Sequence, residues 1–159
     1  MSLDRPSQRP LNASSLRVAI IGSRYNEGLV DELIANCKTA LQADSVTEIE
    51  EVRVPGAAEL PLAAKLLADR QAFDALICVG VVIAGDTNHH EIIGASTASG
   101  LMTIGIEHRL PVINGILVVN TLEQAQARTG TAINRGDEFA KAAIEMALLT
   151  ERWISQKNQ

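Results

Sequence analysis

Short apolar runs alternate with amphipathic segments along most of the sequence, and this alternation limits the possible folds more than any other feature. Four apolar runs have the length of a strand: Arg17–Gly22, Ser45–Val54, Phe73–Ile83 and Val112–Val119. The segments between them repeat apolar residues at the three- and four-residue spacing of a helix with one buried face. Strands that alternate with helices predict a parallel sheet with right-handed crossovers. The predicted order is β-α-β-α-β-α-β-α-α, and the predicted fold class is α/β, a three-layer α/β/α sandwich around a four-stranded parallel sheet.

The chain length suits one domain. Its 159 residues fall within the usual range of about 100–200 residues for a single domain. We predict a single domain over residues 17–159. Residues 1–16 are polar and contain proline, and we expect them to form a flexible N-terminal arm that is free to pair with a neighbouring subunit.

Composition excludes several classes of partner. The net charge is −5 and no basic stripe is present, which argues against nucleic acid. No apolar run approaches the roughly 20 residues that span a bilayer, and the N-terminus lacks the apolar region of a signal peptide. We therefore expect a cytoplasmic protein without a membrane partner. Cys37 and Cys78 lack the spacing of a metal site, and we expect both to be buried.

Polar side chains follow each predicted strand. In a doubly wound sheet, ligands bind beyond the carboxyl ends of the strands, where the strand order reverses. Residues that reach this edge after successive strands are Tyr25 and Asn26, then Glu59, then Asp86 to His90, then Arg128 one short helix further on. An aromatic ring, a carboxylate, imidazoles and a guanidinium together predict a pocket for a flat polar ring and an anion.

The segment "VGVVIAGDTNHHE" (Val79–Glu91) contains the most informative of these residues. Gly85 allows a tight turn, and the three residues after it are good N-cap types for the next helix. A helix N-terminus attracts anions, and a histidine in its first turn is suited to general acid–base chemistry. The alternative is a capped helix with two surface histidines. Because adjacent helical residues point about 100° apart, His89 and His90 are a poor pair for a shared metal.

Simpler interpretations remain open for two other residues. Arg128 alone is typical of a solvated helix residue, and Glu59 is typical of a charge favoured by the dipole at a helix N-terminus. Neither a GxxxxGK[ST] loop nor a GxGxxG turn after a strand is present, so a nucleoside triphosphate or a dinucleotide is not the expected ligand.

Five motifs in order resemble those of one enzyme family. They read "GSRYNEGLVDEL", "VPGAAELPLAAK", "DALICVGVVIAGDTNHHE", "NGILVVNTLEQAQAR" and "NRGDEFAKAAIEMALL". The sequence is similar to lumazine synthase, 6,7-dimethyl-8-ribityllumazine synthase, also described as the beta subunit family of riboflavin synthase. The resemblance covers nearly the whole chain from Arg17 and implies a flavodoxin-like fold. It also implies condensation of 5-amino-6-(D-ribitylamino)uracil with 3,4-dihydroxy-2-butanone 4-phosphate, without a metal or an organic cofactor.

The resemblance assigns roles to named residues. His89 matches the catalytic histidine, and Tyr25 matches the aromatic residue that stacks on the pyrimidine. The remaining substrate-binding residues that it implies are Ala57, Ala58 and Glu59 for the ribityl chain, Val81, Val82 and Ile83 along the ring, and Asn114. The phosphate-binding residues that it implies are Asp86, Thr87, Arg128 and Arg135, the last at a position where the family usually has lysine.

The sequence departs from the family pattern at four further positions. Asn114 replaces a phenylalanine that a neighbouring subunit contributes in many members, and His90 and Ile92 replace common aromatic residues. Ala84 replaces a frequent basic residue. These departures keep open the alternative of a non-catalytic flavin- or lumazine-binding paralogue, or a shell protein of the same fold.

The family resemblance also implies an assembly. Its members form homopentamers whose active sites lie between adjacent subunits, and some build an icosahedral shell of sixty subunits. The short turn "TGTAIN" before the last helix favours a shell. The implied partners are small-molecule substrates, further copies of the chain and riboflavin synthase.

Overall fold

The computed structural model describes residues 13–155. Its sheet contains four parallel strands in the order β2-β1-β3-β4. They are β1 (Arg17–Ser23), β2 (Glu48–Val54), β3 (Ala75–Ile83) and β4 (Val112–Val119). The helices are α1 (Glu27–Ala43), α2 (Leu60–Asp69), α3 (His89–His108), α4 (Leu122–Thr129) and α5 (Arg135–Ser155), and a 3₁₀ turn, Ala57–Glu59, precedes α2. The predicted fold class and element order are confirmed.

The sheet is covered on both faces, which explains the continuous apolar runs of its central strands. Side chains of Val18, Ile20 and Ile77 enter the layer formed with α1, α4 and α5. Their neighbours Ile21 and Leu76 enter the opposite layer, formed with the 3₁₀ turn, α2 and α3. Full burial of such a side chain stabilises the fold by about 1.5–3 kcal/mol. The buried strands β1 and β3 are therefore a firm base for the loops at their carboxyl ends.

Two element boundaries differ from the sequence prediction. The strand β2 begins at Glu48 rather than Ser45, because Ser45 adopts a left-handed conformation with φ of 73° and closes the turn after α1. The helical spacing of apolar residues predicts a helix from Glu91, but α3 begins two residues earlier, at His89. Pro61 lies in the first turn of α2, and Thr121 caps α4 by accepting a hydrogen bond from the Gln124 amide at 3.2 Å.

Glycines allow α3 and α5 to pack closely on their neighbours. A Cβ atom at Gly94 would lie 2.7 Å from Val118 on β4, so α3 packs on the chain's own sheet at this glycine. Ala95 and Ser99 on the same helix are exposed. A Cβ atom at Gly136 would lie 2.7 Å from the Leu33 carbonyl oxygen, so the start of α5 approaches the backbone of α1.

The N-terminal segment enters the described structure at Ala13. Ala13 and Leu16 are buried, and the Ala13 amide donates to the Asp44 carbonyl at 3.1 Å. The predicted arm over residues 1–16 lies mostly outside the described residues, and its flexibility and pairing stay predictions. Cys37 and Cys78 are buried as predicted, and burial raises the pKa of each thiol to about 12. Along residues 13–155, no helix combines the length and the apolar character needed to cross a bilayer.

Candidate active site

The candidate site lies at the carboxyl ends of β1 and β3. β2 lies on one side of β1, and β3 and β4 lie on the other side. The strand order therefore reverses between β1 and β3. Crevices at such reversals bind ligands in doubly wound folds. Four segments meet there: the loop after β1, the 3₁₀ turn after β2, the end of β3, and the turn that leads into α3.

Tyr25 presents an exposed ring at this edge. Its side chain is 74% exposed, and its backbone amide donates to the Pro55 carbonyl at 3.3 Å. The ring lies against Gly56, where a Cβ atom would come within 3.2 Å of the tyrosine Cδ2. The loops after β1 and β2 are thereby held together, and one face of an aromatic ring is available for stacking.

The 3₁₀ turn places its polar groups beside that ring. The Glu59 carboxylate accepts a hydrogen bond from the Gly56 amide at 2.8 Å, and the residue remains exposed. The Ala57 carbonyl accepts from the Thr97 hydroxyl of α3 at 3.5 Å, while Ala58 is exposed. The backbone hydrogen bond fixes one carboxylate oxygen of Glu59 and leaves acceptor capacity for hydroxyl groups of a ligand.

The end of β3 forms an apolar wall. Val81 is buried, whereas Val82 and Ile83 are half-buried. All three pair with β4, and the last pair joins Ile83 to Val119. This strand end offers a ligand an apolar surface from its side chains and hydrogen-bonding groups from its backbone.

The turn after β3 leads directly into α3. Asp86, Thr87 and His89 are exposed. Asn88 occupies the N-cap position as its residue type predicted, but within the described residues its side chain makes no capping hydrogen bond. Helices leave their first amides without intrahelical partners, and a helix of 20 residues adds a partial positive charge at this end. The turn can therefore receive an anion, with the His89 imidazole in the adjacent helical turn.

His90 has a local partner. Its Nδ1 lies 3.1 Å from the Thr87 carbonyl oxygen. Since a carbonyl only accepts, this hydrogen bond requires the tautomer with a proton on Nδ1. The imidazole thus connects α3 to the turn that precedes it.

The two predicted arginines lie on α4 and α5, outside the segments that form this group. Arg128 is on α4, and its guanidinium donates to the Gln124 carbonyl at 2.9 Å. Arg135 is buried at the start of α5, where it forms an ion pair with Glu138. Its Nε has no hydrogen-bond partner among the described residues.

Both arginines belong to the helical layer opposite α3. Hydrogen bonds fix α4 on α1, because the Thr129 hydroxyl donates to Glu32 at 2.6 Å and Asn36 donates to the Thr129 carbonyl at 2.7 Å. No hydrogen bond or ion pair within residues 13–155 joins Arg128 or Arg135 to the residues around Tyr25 and His89.

Asn114 is also distant from the candidate site within one chain. Asn114 lies on the edge strand β4 and pairs with Cys78 on β3. This pair is five residues before the last pair, Ile83–Val119. At about 3.3 Å per residue, it lies about 16 Å from the carboxyl end of the sheet. Asn114 is exposed, and its side chain accepts from the Ile116 amide at 3.1 Å.

The structure adds Gly56 to the site and shows the contact that Asn26, predicted only to reach this edge, makes there. The Asn26 side chain donates to the Val81 carbonyl at 2.8 Å, and Gly56 provides the space occupied by the Tyr25 ring and the Glu59 carboxylate. An asparagine directly before a helix is an available sequence signal for Asn26. The contact with Val81 spans 55 residues, and no local pattern indicates it.

Comparison with known proteins identifies the family. The sequence model described as 6,7-dimethyl-8-ribityllumazine synthase matches residues 15–151. The chain belongs to the 6,7-dimethyl-8-ribityllumazine synthase family. The match begins before β1 and extends almost to the end of α5, so it includes every residue assigned to the site.

Individual members of this family align with most of the chain. The 6,7-dimethyl-8-ribityllumazine synthase of Stenotrophomonas maltophilia (strain K279a) is 42% identical over 141 residues, covering 87% of this chain and 91% of the relative. The enzyme of the same name from Paracidovorax citrulli (strain AAC00-1) is 38% identical over 150 residues, with 93% and 96% covered. The one from Xanthomonas euvesicatoria pv. vesicatoria (strain 85-10) is 40% identical over 144 residues, with 89% and 94% covered.

Proposed function

We propose that the chain is a cytoplasmic enzyme of riboflavin biosynthesis that forms 6,7-dimethyl-8-ribityllumazine. The substrates are 5-amino-6-(D-ribitylamino)uracil and 3,4-dihydroxy-2-butanone 4-phosphate, and the products are the lumazine, phosphate and water. One observation carries the proposal: the exposed Tyr25 ring, the Glu59 carboxylate and the N-terminus of α3 meet at the strand-order reversal of a chain that belongs to this family.

The pyrimidine substrate is assigned to the crevice between Tyr25 and the end of β3. The Tyr25 ring stacks on the flat heterocycle, and the wall from Val81 to Ile83 lies along its edge. The ribityl hydroxyls reach the 3₁₀ turn, where Glu59 accepts hydrogen bonds and Ala57 and Ala58 contribute backbone groups. Precise stacking and hydrogen bonding bring the reacting amine into a fixed position, which replaces a diffusive encounter with an effectively intramolecular reaction.

The phosphate substrate is assigned to the turn that contains Asp86 and Thr87. Backbone amides and the dipole of α3 attract its phosphate group, so its ketone lies near the pyrimidine amine. The amine attacks the ketone and one water leaves as the Schiff base forms; phosphate is then eliminated, and attack of the ribitylamino nitrogen closes the ring with release of a second water. His89 is positioned beside both substrates to transfer protons during these steps.

A neighbouring subunit supplies the remaining residues of the proposed site. In a homopentamer, Arg128 and Arg135 of the adjacent subunit bind the phosphate, and Asn114 of that same subunit contacts the heterocycle. This arrangement is supported by the position of Asn114 early in β4, and by the placement of both arginines in the helical layer opposite α3, without a hydrogen bond or ion pair to the residues around Tyr25 and His89 within residues 13–155. We also propose that the pentamers assemble into a sixty-subunit shell and that the protein binds riboflavin synthase.

A turnover assay tests the proposed reaction. Incubation of the protein with both substrates is expected to release phosphate and to produce lumazine fluorescence at the same rate. Absence of both signals from a folded protein would contradict catalysis and favour the non-catalytic lumazine-binding alternative.

The substitution His89→Ala tests the role of the imidazole. We expect kcat to fall by about 10²–10⁴-fold, the usual contribution of general acid–base catalysis, with little change in stability because His89 is exposed. His108→Ala is the matched control, since His108 is the last residue of the same helix and is 3.6 Å from Asp69, away from the site. An unchanged rate in His89→Ala would contradict the assigned role.

A further inference from the structure

One side-chain hydrogen bond joins the loops that follow β1 and β3. The Asn26 amide nitrogen donates to the Val81 carbonyl oxygen at 2.8 Å, and the contact is partly buried. The two residues are 55 positions apart in the sequence. They lie on opposite sides of the crevice between β1 and β3, so their hydrogen bond spans it.

This hydrogen bond continues the sheet where its backbone ladder stops. The last pair between β1 and β3 joins Gly22 to Val79. Beyond it the chain leans toward β2, because the Arg24 amide donates to the Val54 and Pro55 carbonyls at 2.9 and 3.2 Å. The Asn26 side chain supplies a donor to β3 at the level where the β1 backbone has turned away.

The backbone of Asn26 is adapted to this contact. Its φ of 55° and ψ of 44° are left-handed, a conformation that asparagine tolerates better than most residues. Asn26 also occupies the N-cap of α1, where an asparagine side chain commonly accepts from the first helical turn. Within the described residues its side chain makes no such bond, and its amide group is directed to β3.

We propose that Asn26 is a positioning residue for the pyrimidine substrate. Its hydrogen bond to Val81 fixes the distance between the Tyr25 ring and the wall formed by Val81–Ile83, and so sets the width of the crevice that receives the heterocycle. The proposal rests on the proposed function, because it names the substrate of the same site. Asn26 acts through Tyr25 and Val81, so its loss affects one substrate and spares the other.

The substitution Asn26→Asp removes the donor and preserves the size and backbone preference of the side chain. A carboxylate cannot donate to the Val81 carbonyl, and repulsion between the two oxygens separates the loops. We expect the KM for 5-amino-6-(D-ribitylamino)uracil to rise about tenfold, the effect of leaving one buried partner unsatisfied. The KM for the butanone phosphate is expected to change little, and the unfolding midpoint is expected to fall modestly because the Val81 carbonyl loses its side-chain donor.

Asn36→Asp is the matched control. Asn36 lies on α1, and its side chain donates to the Thr129 carbonyl at 2.7 Å, remote from Tyr25. The same chemical change there is expected to leave the KM for the pyrimidine substrate unchanged. Asn26→Gly is the second variant, because glycine adopts the left-handed backbone without strain and lacks the amide; it decides the question if Asn26→Asp does not fold.

The outcomes separate this inference from the proposed function. Absence of lumazine formation by the wild-type protein overturns the proposed function. Wild-type turnover with an unchanged pyrimidine KM in both Asn26 variants overturns the positioning role alone. An equal rise in KM for both substrates, or a loss of kcat with unchanged KM, likewise overturns it, since the effect would then not be specific to the crevice.

Discussion

At the scale of single residues, Gly56 is required for space rather than for conformational freedom. Its φ of −142° is available to any residue. An alanine Cβ there would lie 3.0 Å from a Glu59 carboxylate oxygen and 3.2 Å from the Tyr25 ring, so Gly56→Ala displaces two groups of the proposed pyrimidine site. We expect the KM for the pyrimidine substrate to rise about tenfold, and the free energy of unfolding to change by less than about 1 kcal/mol.

The control for this substitution is Gly28→Ala. A Cβ atom at Gly28 has no neighbour within 4 Å among the described residues, so both KM values are expected to stay constant. Steady-state kinetics and urea denaturation of the two variants give the comparison. A Gly56→Ala protein with wild-type KM values would show that Tyr25 and Glu59 do not depend on this spacing.

At the same scale, the sequence predicted site residues from their position after a strand. It did not predict the contacts between distant segments that hold those residues in place. Tyr25 and Glu59 were predictable because they follow strands that end at one edge. The dependence of Tyr25 on Gly56, and of its loop on Val81, comes from packing between segments distant in sequence. Local periodicity contains no information about such pairs.

At the scale of secondary-structure elements, the contact between α1 and α5 depends on Gly136. An alanine Cβ there would lie 2.7 Å from the Leu33 carbonyl oxygen and 3.0 Å from the Cys37 amide nitrogen. These are backbone atoms, so relief requires the two helices to separate. We expect Gly136→Ala to destabilise the protein by about 1–3 kcal/mol, as overpacking of a core usually does, measured by urea denaturation.

Gly28→Ala again provides a matched control, because Gly28 and Gly136 are each the second residue of a helix. Alanine has the higher helix propensity, so Gly28→Ala is expected to be neutral or mildly stabilising. Equal stabilities of the two alanine variants would contradict the close approach of α1 and α5.

The elements themselves were largely predictable, and their ends were less so. Periods of two and 3.6 residues report which side chains face the core, and the core determined where β1, β3 and α1 lie. The start of β2 depends on the left-handed backbone at Ser45, a property that residue type only weakly indicates. The start of α3 at His89 matters most, because it confirms that the histidine lies in the first turn of the helix.

At the scale of the whole molecule, a substantial apolar surface remains exposed in the single chain. The large apolar side chains exposed on α2, α3 and the end of α5 include Leu62, Leu66, Ile92, Met102, Ile106 and Trp153. Extended apolar surfaces of this kind usually mark association sites. They support the proposed homopentamer, in which Arg128 of one subunit completes the site around His89 of another. The motifs named both residues, but the sequence alone does not assign them to one chain or to two.

Mixed assemblies distinguish these two arrangements. We expect homogeneous His89→Ala and Arg128→Ala proteins to be impaired in every site. Coexpressed at equal levels with different affinity tags, the two chains are expected to form mixed oligomers with about a quarter of wild-type kcat/KM, because random assembly pairs an intact His89 with an intact Arg128 in that fraction of interfaces. Sequential purification on both tags isolates the mixed species.

Coexpression of two differently tagged His89→Ala chains is the control, and its kcat/KM is expected to stay at the level of the homogeneous His89→Ala protein. If the site lay within one chain, each subunit would retain its own defect, and the mixed oligomers would show only the mean of the two impaired activities.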